Sequence, residues 1–209
     1  MLEAYMNGLL APRTMTLTGQ GQVAAPPDMA VLRLGVELTG TDLSAIQSQN
    51  ALLSQSVLNA LRRMGITDVK TFQYNIEKYY EYDNGTPVHR GYTVRNIFEI
   101  RTGETDLIGA IIDTAVDSGA NVVELISFQL SDPEYYYRQA LNLAVRDAME
   151  KARSVANHLG IRVEPIPVSL AETSGLPQPF LPVQRELATT PVVPGNITIE
   201  ASITAEFTY

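Results

Sequence analysis

Cysteine is absent from this 209-residue sequence. Thiol nucleophiles, disulfides and thiolate metal sites are thereby excluded. The absence leaves the compartment open, since both exported and cytosolic proteins can lack the residue. Basic residues are few: 15 Lys and Arg against 23 Asp and Glu leave a formal net charge of −8. Arg62-Arg63 is the densest basic pair. A phosphate backbone is repelled by such a chain, so no nucleic-acid partner is expected. An anionic membrane surface is disfavoured for the same reason. Long apolar runs are missing too. No stretch reaches the ~18 residues of a spanning helix, so stable membrane insertion is not expected. The opening MLEAYMNGLLAPRTM lacks a basic leader and is interrupted by Glu3, Asn7, Gly8 and Pro12. As written it carries no export signal and reads as cytoplasmic, although a chain cut downstream of a signal would look the same.

Catalytic signatures are equally scarce. The two histidines, His89 and His158, share no metal spacing, and a capping or surface role is expected for both. No G-x-S-x-G context supports Ser-His-Asp chemistry. Gly19-Gln20-Gly21 is not a dinucleotide fingerprint, because Pro26-Pro27 and a strand follow where a helix is required. No catalytic residue, cofactor or metal is expected.

What remains is an ordinary globular balance, 45% apolar and 18% charged, in a chain long enough to bury about 70% of its unfolded surface. Residues 14–24 alternate as a strand with glycine breaks, and Met29 to Gly40 sets Ala30, Leu32, Leu34, Val36 and Leu38 against Val31, Arg33, Gly35 and Glu37. Residues 42–64 read as a helix capped by Thr41 or Asp42, with Leu43, Ile46, Leu53, Val57, Leu61 and Met64 on one stripe, Leu52 among those widening it, and Gly65 beyond its end. Residues 69–82 and 88–101 flank an Asn-Gly turn and read as one long β-hairpin. Phe72, Tyr74, Ile76, Lys78, Tyr80 and Tyr82 are expected on one face of its first strand. Strands of this length reach roughly 45 Å, so the hairpin is expected to project beyond its domain.

A second helix is expected over 105–118, capped by Thr105 or Asp106 and stopped at Gly119, followed by a strand at 121–130. The segment SDPEYYYRQALNLAVRDAMEKAR then opens a third helix that ends at Gly160. Its start is fixed either by Ser131 with Glu134 as a capping box or by Asp132 with Pro133 at the first helical position. Tyr137, Leu141, Ala144, Ala148, Ala152, Val155 and Leu159 share one face. Ala140, Ala144, Ala148, Ala152 and Ala156 form a small-residue ridge that allows close approach. Residues 161–172 read as an edge strand despite Pro165 and Pro167. Residues 174–195 form a Pro-rich loop, and 196–209 close the chain in strict alternation. The fold class is α+β: a mixed or largely antiparallel sheet with three helices packed on it and one long projecting β-hairpin.

Six segments in this order resemble the SIMPL-domain family, which includes YggE-like and bacterial periplasmic immunogenic proteins. They are TLTGQGQVAAPPDMAVLRLGVE, MGITDVKTFQYNIEKYYEY, RGYTVRNIFEIR, DSGANVVELISFQLSD, AVRDAMEKAR and PGNITIEASITAEFTY. The resemblance implies a SIMPL domain over 14–209, as one unit or two sub-domains, behind an N-terminal tail at 1–13. It implies no agreed catalytic activity, a tendency to self-assemble, an envelope location (periplasmic or extracellular) and a link to oxidative-stress defence. The expected function is therefore that of a non-enzymatic protein whose partner is itself. The expected assembly contacts are Tyr79, Tyr80, Tyr82 and Tyr92 in the hairpin with Phe180 and Leu181 in the Pro-rich loop. The alternative is a small-ligand or calcium-binding module that uses the hairpin tyrosines with Glu77, Glu81 and Asp83.

Overall fold

The computed structural model describes residues 13–173 and 194–209. The chain forms two compact units. The described part of the first is residues 13–25, 132–173 and 196–209; that of the second is residues 26–131 with 194–195.

The second unit holds β2 (Met29–Gly40), α1 (Leu43–Arg63), β3 (Val69–Asp83), β4 (Thr86–Thr102), α2 (Ile108–Asp117) and β5 (Val122–Gln129). Its four strands form an antiparallel sheet in the order β3-β4-β2-β5. The even-numbered positions of β2 face the helices. Ala30, Leu32, Leu34 and Val36 meet Val57, Leu61, Ile100, Ile108, Ile111 and Ala115 in a core of large aliphatic side chains. Helix α1 starts where Asp42 accepts a hydrogen bond from Ala45 N at 3.2 Å. Its buried stripe contains Ile46, Val57, Ala60 and Leu61, and also Asn50 and Ser54. The Asn50 amide donates to the Val36 and Val94 carbonyls at 2.9 and 3.1 Å, and Ser54 Oγ donates to Asn50 Oδ1 at 3.2 Å. The buried amide thus places its donors on sheet carbonyls inside an apolar layer. Leu52, expected on the apolar stripe, is 74% exposed.

The first unit holds β1 (Thr14–Ala25), α3 (Pro133–Leu159), β6 (Ser169–Glu172) and β7 (Ile197–Thr208). Its sheet is antiparallel, in the order β1-β7-β6. Asp132 caps α3 by accepting from Tyr135 N at 2.9 Å, with Pro133 in the first turn. Of the two starts the sequence allowed, this is the one adopted. Ser131 instead donates its N–H and hydroxyl to Asp28 at 2.7 and 2.6 Å, which lowers the Asp28 pKa.

The alanine ridge is the buried stripe of α3: Tyr137, Ala140, Ala144, Ala148, Ala152 and Ala156. It lies against the glycine pair of β1. A Cβ on Gly19 would overlap the Ala144 carbonyl oxygen, and one on Gly21 would overlap that of Ala140. Both glycines are therefore there to let helix and strand touch backbone to backbone. Ile203 and Phe207 of β7 fill the space beside that contact.

Several expectations are corrected. There are two sheets, with α1 and α2 on one and α3 on the other. Only Ser169–Glu172 of the segment 161–172 is a strand, at a sheet edge, because Pro165 and Pro167 cannot donate to a ladder. Thr105 and Asp106 lie inside a 3-10 turn, Thr105–Leu107, and no side chain caps it or α2. Val155 and Leu159 are 37% and 60% exposed, since the buried stripe of α3 drifts onto Ala156. Gly65, Gly119 and Gly160 all end helices with positive φ, 83°, 110° and 67°, the left-handed stop that the sequence placed there.

Candidate interaction site

Among the described residues, exposed aromatic surface is concentrated toward the far end of β3 and β4. The two strands pair continuously to Asp83↔Thr86 across the Asn84-Gly85 turn, where both residues have positive φ. β2 pairs with β4 only as far as Gly40↔Tyr92. Beyond that point β3 and β4 pair with each other alone, as a two-stranded ribbon. Tyr79, Tyr80 and Tyr82 in this ribbon are 39%, 46% and 77% exposed.

The four tyrosines do not form one patch. On one side of the ribbon, His89 stands edge-on between Tyr80 and Tyr92, with ring centroids 5.6 and 5.2 Å away. On the other side, Tyr79 donates its hydroxyl to Glu81, which also accepts from Arg90 Nε at 3.1 Å. The Glu81 carboxylate raises the Tyr79 pKa above its usual value. A register shift between Tyr79 and Tyr80 leaves Arg90 of β4 as an extra residue, so His89 and Tyr92 share the side of Tyr80. A second shift, between Thr71 and Gln73, takes Phe72 off the expected face. Its ring instead lies 3.6 Å beneath the Arg33 guanidinium. Phe180 and Leu181 lie outside the described residues.

The three acids of the alternative reading are strung out along the strand. Glu77 is opposite Thr93, Glu81 opposite Val88 and Asp83 opposite Thr86. At about 3.3 Å per residue, Glu77 and Glu81 are roughly 13 Å apart. Among the described residues, no three His, Asp or Glu side chains are placed to hold a metal ion. Glu77 instead lines a shallow polar concavity of about 350 Å³ with Glu37, Gln73, Asn75, Thr93, Arg95 and Glu124.

Two ion-pair networks stiffen this sheet. Arg95 donates to Glu37 at 2.6 Å and to Glu124, and the Glu124 hydrogen bond leads in raising its pKa. Glu99 accepts from Arg33 at 2.9 Å and from Arg101 at 3.0 Å, and its pKa is lowered, first by the Arg33 hydrogen bond. These residues escaped the sequence reading. Their signal was the polar half of the alternation, Arg33 and Glu37 in β2 against Arg95, Glu99 and Arg101 in β4.

Fold and site together define an α+β protein that presents aromatic surface on a two-stranded ribbon. Residues 15–207 match the SIMPL family model, described as "Protein of unknown function (DUF541)", and the chain belongs to that family. It is 30% identical over 182 residues to the 26 kDa periplasmic immunogenic protein of Brucella melitensis, covering 83% of this chain and 72% of that one. It is also 26% identical over 158 residues to the uncharacterized protein YggE of Edwardsiella ictaluri (74% and 66% coverage). The YggE protein of Escherichia coli K12 is 22% identical over 167 residues (79% and 68%). Among the described residues, no helix is long and apolar enough to cross a membrane.

Proposed function

We propose that this chain is a non-enzymatic protein that assembles with copies of itself through the β3/β4 ribbon. The supporting observation is the exposure of Tyr79, Tyr80 and Tyr82 on the end of the ribbon where, among the described residues, β3 and β4 pair with no other strand. Aromatic residues are enriched at the centres of protein interfaces, where they bury a large area and keep a polar tip wet. Both sides of the ribbon carry them, so one ribbon can contact protein on two sides.

Static light scattering of the intact chain at micromolar concentration tests this reading. The expected mass is a multiple of 22.9 kDa. A mass of one chain at every concentration overturns it. Deleting residues 82–88 removes the ribbon tip and lowers the assembled mass; an unchanged mass removes the tip as the contact.

The similarity to a protein named as periplasmic supports an envelope location for this chain. Fractionation of the source cells checks this, and recovery in the cytosol alone rules it out. A part in oxidative-stress defence follows from the family resemblance. It predicts slower growth under peroxide when the gene is deleted, and equal growth overturns it.

A further inference from the structure

Both sheets end in a long strand, but the two edges are treated differently. Along β1, α3 supplies the missing partners. Gln20 N donates to Asp147 Oδ2 at 2.9 Å, and Lys151 Nζ donates to the Thr18 carbonyl at 3.0 Å. Along β3, the outermost strand of the other sheet, no strand or side chain among the described residues takes the outer backbone groups. Helix α1 packs on β2 and β4 and reaches β3 through Gln47, whose amide donates to Tyr74 Oη at 3.4 Å. Tyr74 and Ile76 are accordingly left 51% and 37% exposed on the helix side of the sheet.

We propose that β3 pairs antiparallel with β3 of a second copy, about a two-fold axis through Ile76. The inference rests on the self-assembly reading above and specifies its geometry. Ile76 is the midpoint of Val69–Asp83 and also of its regular stretch, so this register uses all of that stretch. In the regular stretch Gln73–Tyr79, between the two register shifts, it sets Ile76 against Ile76, Asn75 against Glu77, Tyr74 against Lys78, and Gln73 against Tyr79. The amide can donate to the carboxylate, and the ammonium can lie on the phenol ring. Tyr74 and Ile76 of the two copies would then cover one another beyond the reach of either α1.

Neighbouring registers that keep the helix faces together are worse. An axis at Tyr74 brings the bulged residue Phe72 opposite Ile76, inside the paired stretch. Axes at Glu77 and Lys78 set each of those charges against itself. Like charges directly opposite one another destabilise a strand pair. An axis at Asn75 avoids like charges but leaves Tyr82 and Asp83 without partners in the strand.

The absence of cysteine makes the test clean, because every thiol is introduced. Directly opposite residues of an antiparallel pair have Cα atoms about 4.5–5.5 Å apart, within the range a disulfide bridges. Oxidising the full chain carrying Ile76→Cys should give a reducible band at twice the 22.9 kDa chain mass. Tyr74→Cys and Lys78→Cys should each stay single when oxidised alone, since like positions stand about 13 Å apart. An equimolar mixture of the two should form the mixed dimer. If the unmodified chain scatters as an oligomer and Ile76→Cys does not cross-link, the β3 pairing is overturned while self-assembly stands. A monomeric mass overturns both. Cross-linking of Tyr74→Cys with itself rejects this register.

Discussion

The two units each lay helix against antiparallel sheet, with side chains of opposite size. In the second unit, Leu32, Leu34, Val57, Leu61, Ile100 and Ile111 hold helix and sheet apart with branched aliphatics. In the first, Gly19 and Gly21 meet an alanine ridge, and the backbones come into direct contact. The aliphatic interface gains mainly from apolar area removed from water. The glycine–alanine interface has little such area at its centre and depends on close fit and many short contacts. An aliphatic layer fails when volume is lost, and a glycine–alanine layer fails when volume is added.

That contrast is open to direct attack. Leu34→Ala empties a fully buried site in the second unit and should cost about 3 kcal/mol in urea unfolding. A loss below about 1 kcal/mol would mean that the layer collapses freely around the gap. Gly21→Ala adds one methyl in the first unit. It should cost about 2 kcal/mol by overpacking, although alanine ordinarily suits a regular element better than glycine. A stabilised variant would show that α3 can back away from β1.

Glu99→Gln should cost about 1 kcal/mol near neutral pH by weakening charge-assisted hydrogen bonds from Arg33 and Arg101. The folded-state pKa of Glu99 is below its usual 4.5. Its stabilisation is therefore complete above the unfolded value and disappears as pH falls through the lower folded value. The Gln variant should lose less stability than the parent over that acid window; parallel stability–pH curves would exclude Glu99 as a contributor. Asp147→Asn weakens the cover of the β1 edge. With Asp147 and Lys151 both partly exposed, the expected cost is a few tenths of a kcal/mol. It should also shrink as salt rises, and a salt-independent loss would point to packing instead.

The elements were legible in the sequence where one strong local rule acted alone. The alternation of β2 and β7, the Asn-Gly turn, the Asp132-Pro133 start and the glycine stops at 65, 119 and 160 all specify backbone within a few residues. The six-segment resemblance likewise placed the chain in its family. Among the proposed contacts, the exposure of Tyr79, Tyr80 and Tyr82 followed from the length of the hairpin. Their division between two sides of the ribbon followed from the alternation that set Tyr80 and Tyr82 on one face. The stacking of His89 with both Tyr80 and Tyr92 did not, because a bulge changes register without a reliable signature in the strand that carries it. Phe72 was misplaced for the same reason.

Local chemistry wrote the strands, the turns and the helix ends, because φ/ψ preference and side-chain period act between near neighbours. Whether one sheet formed or two, which strand α3 was packed against, and which edge strand was left uncovered depended on residues more than a hundred positions apart, such as Gln20 and Asp147. Contacts at that distance have no period to read, since they exist only once the chain has packed.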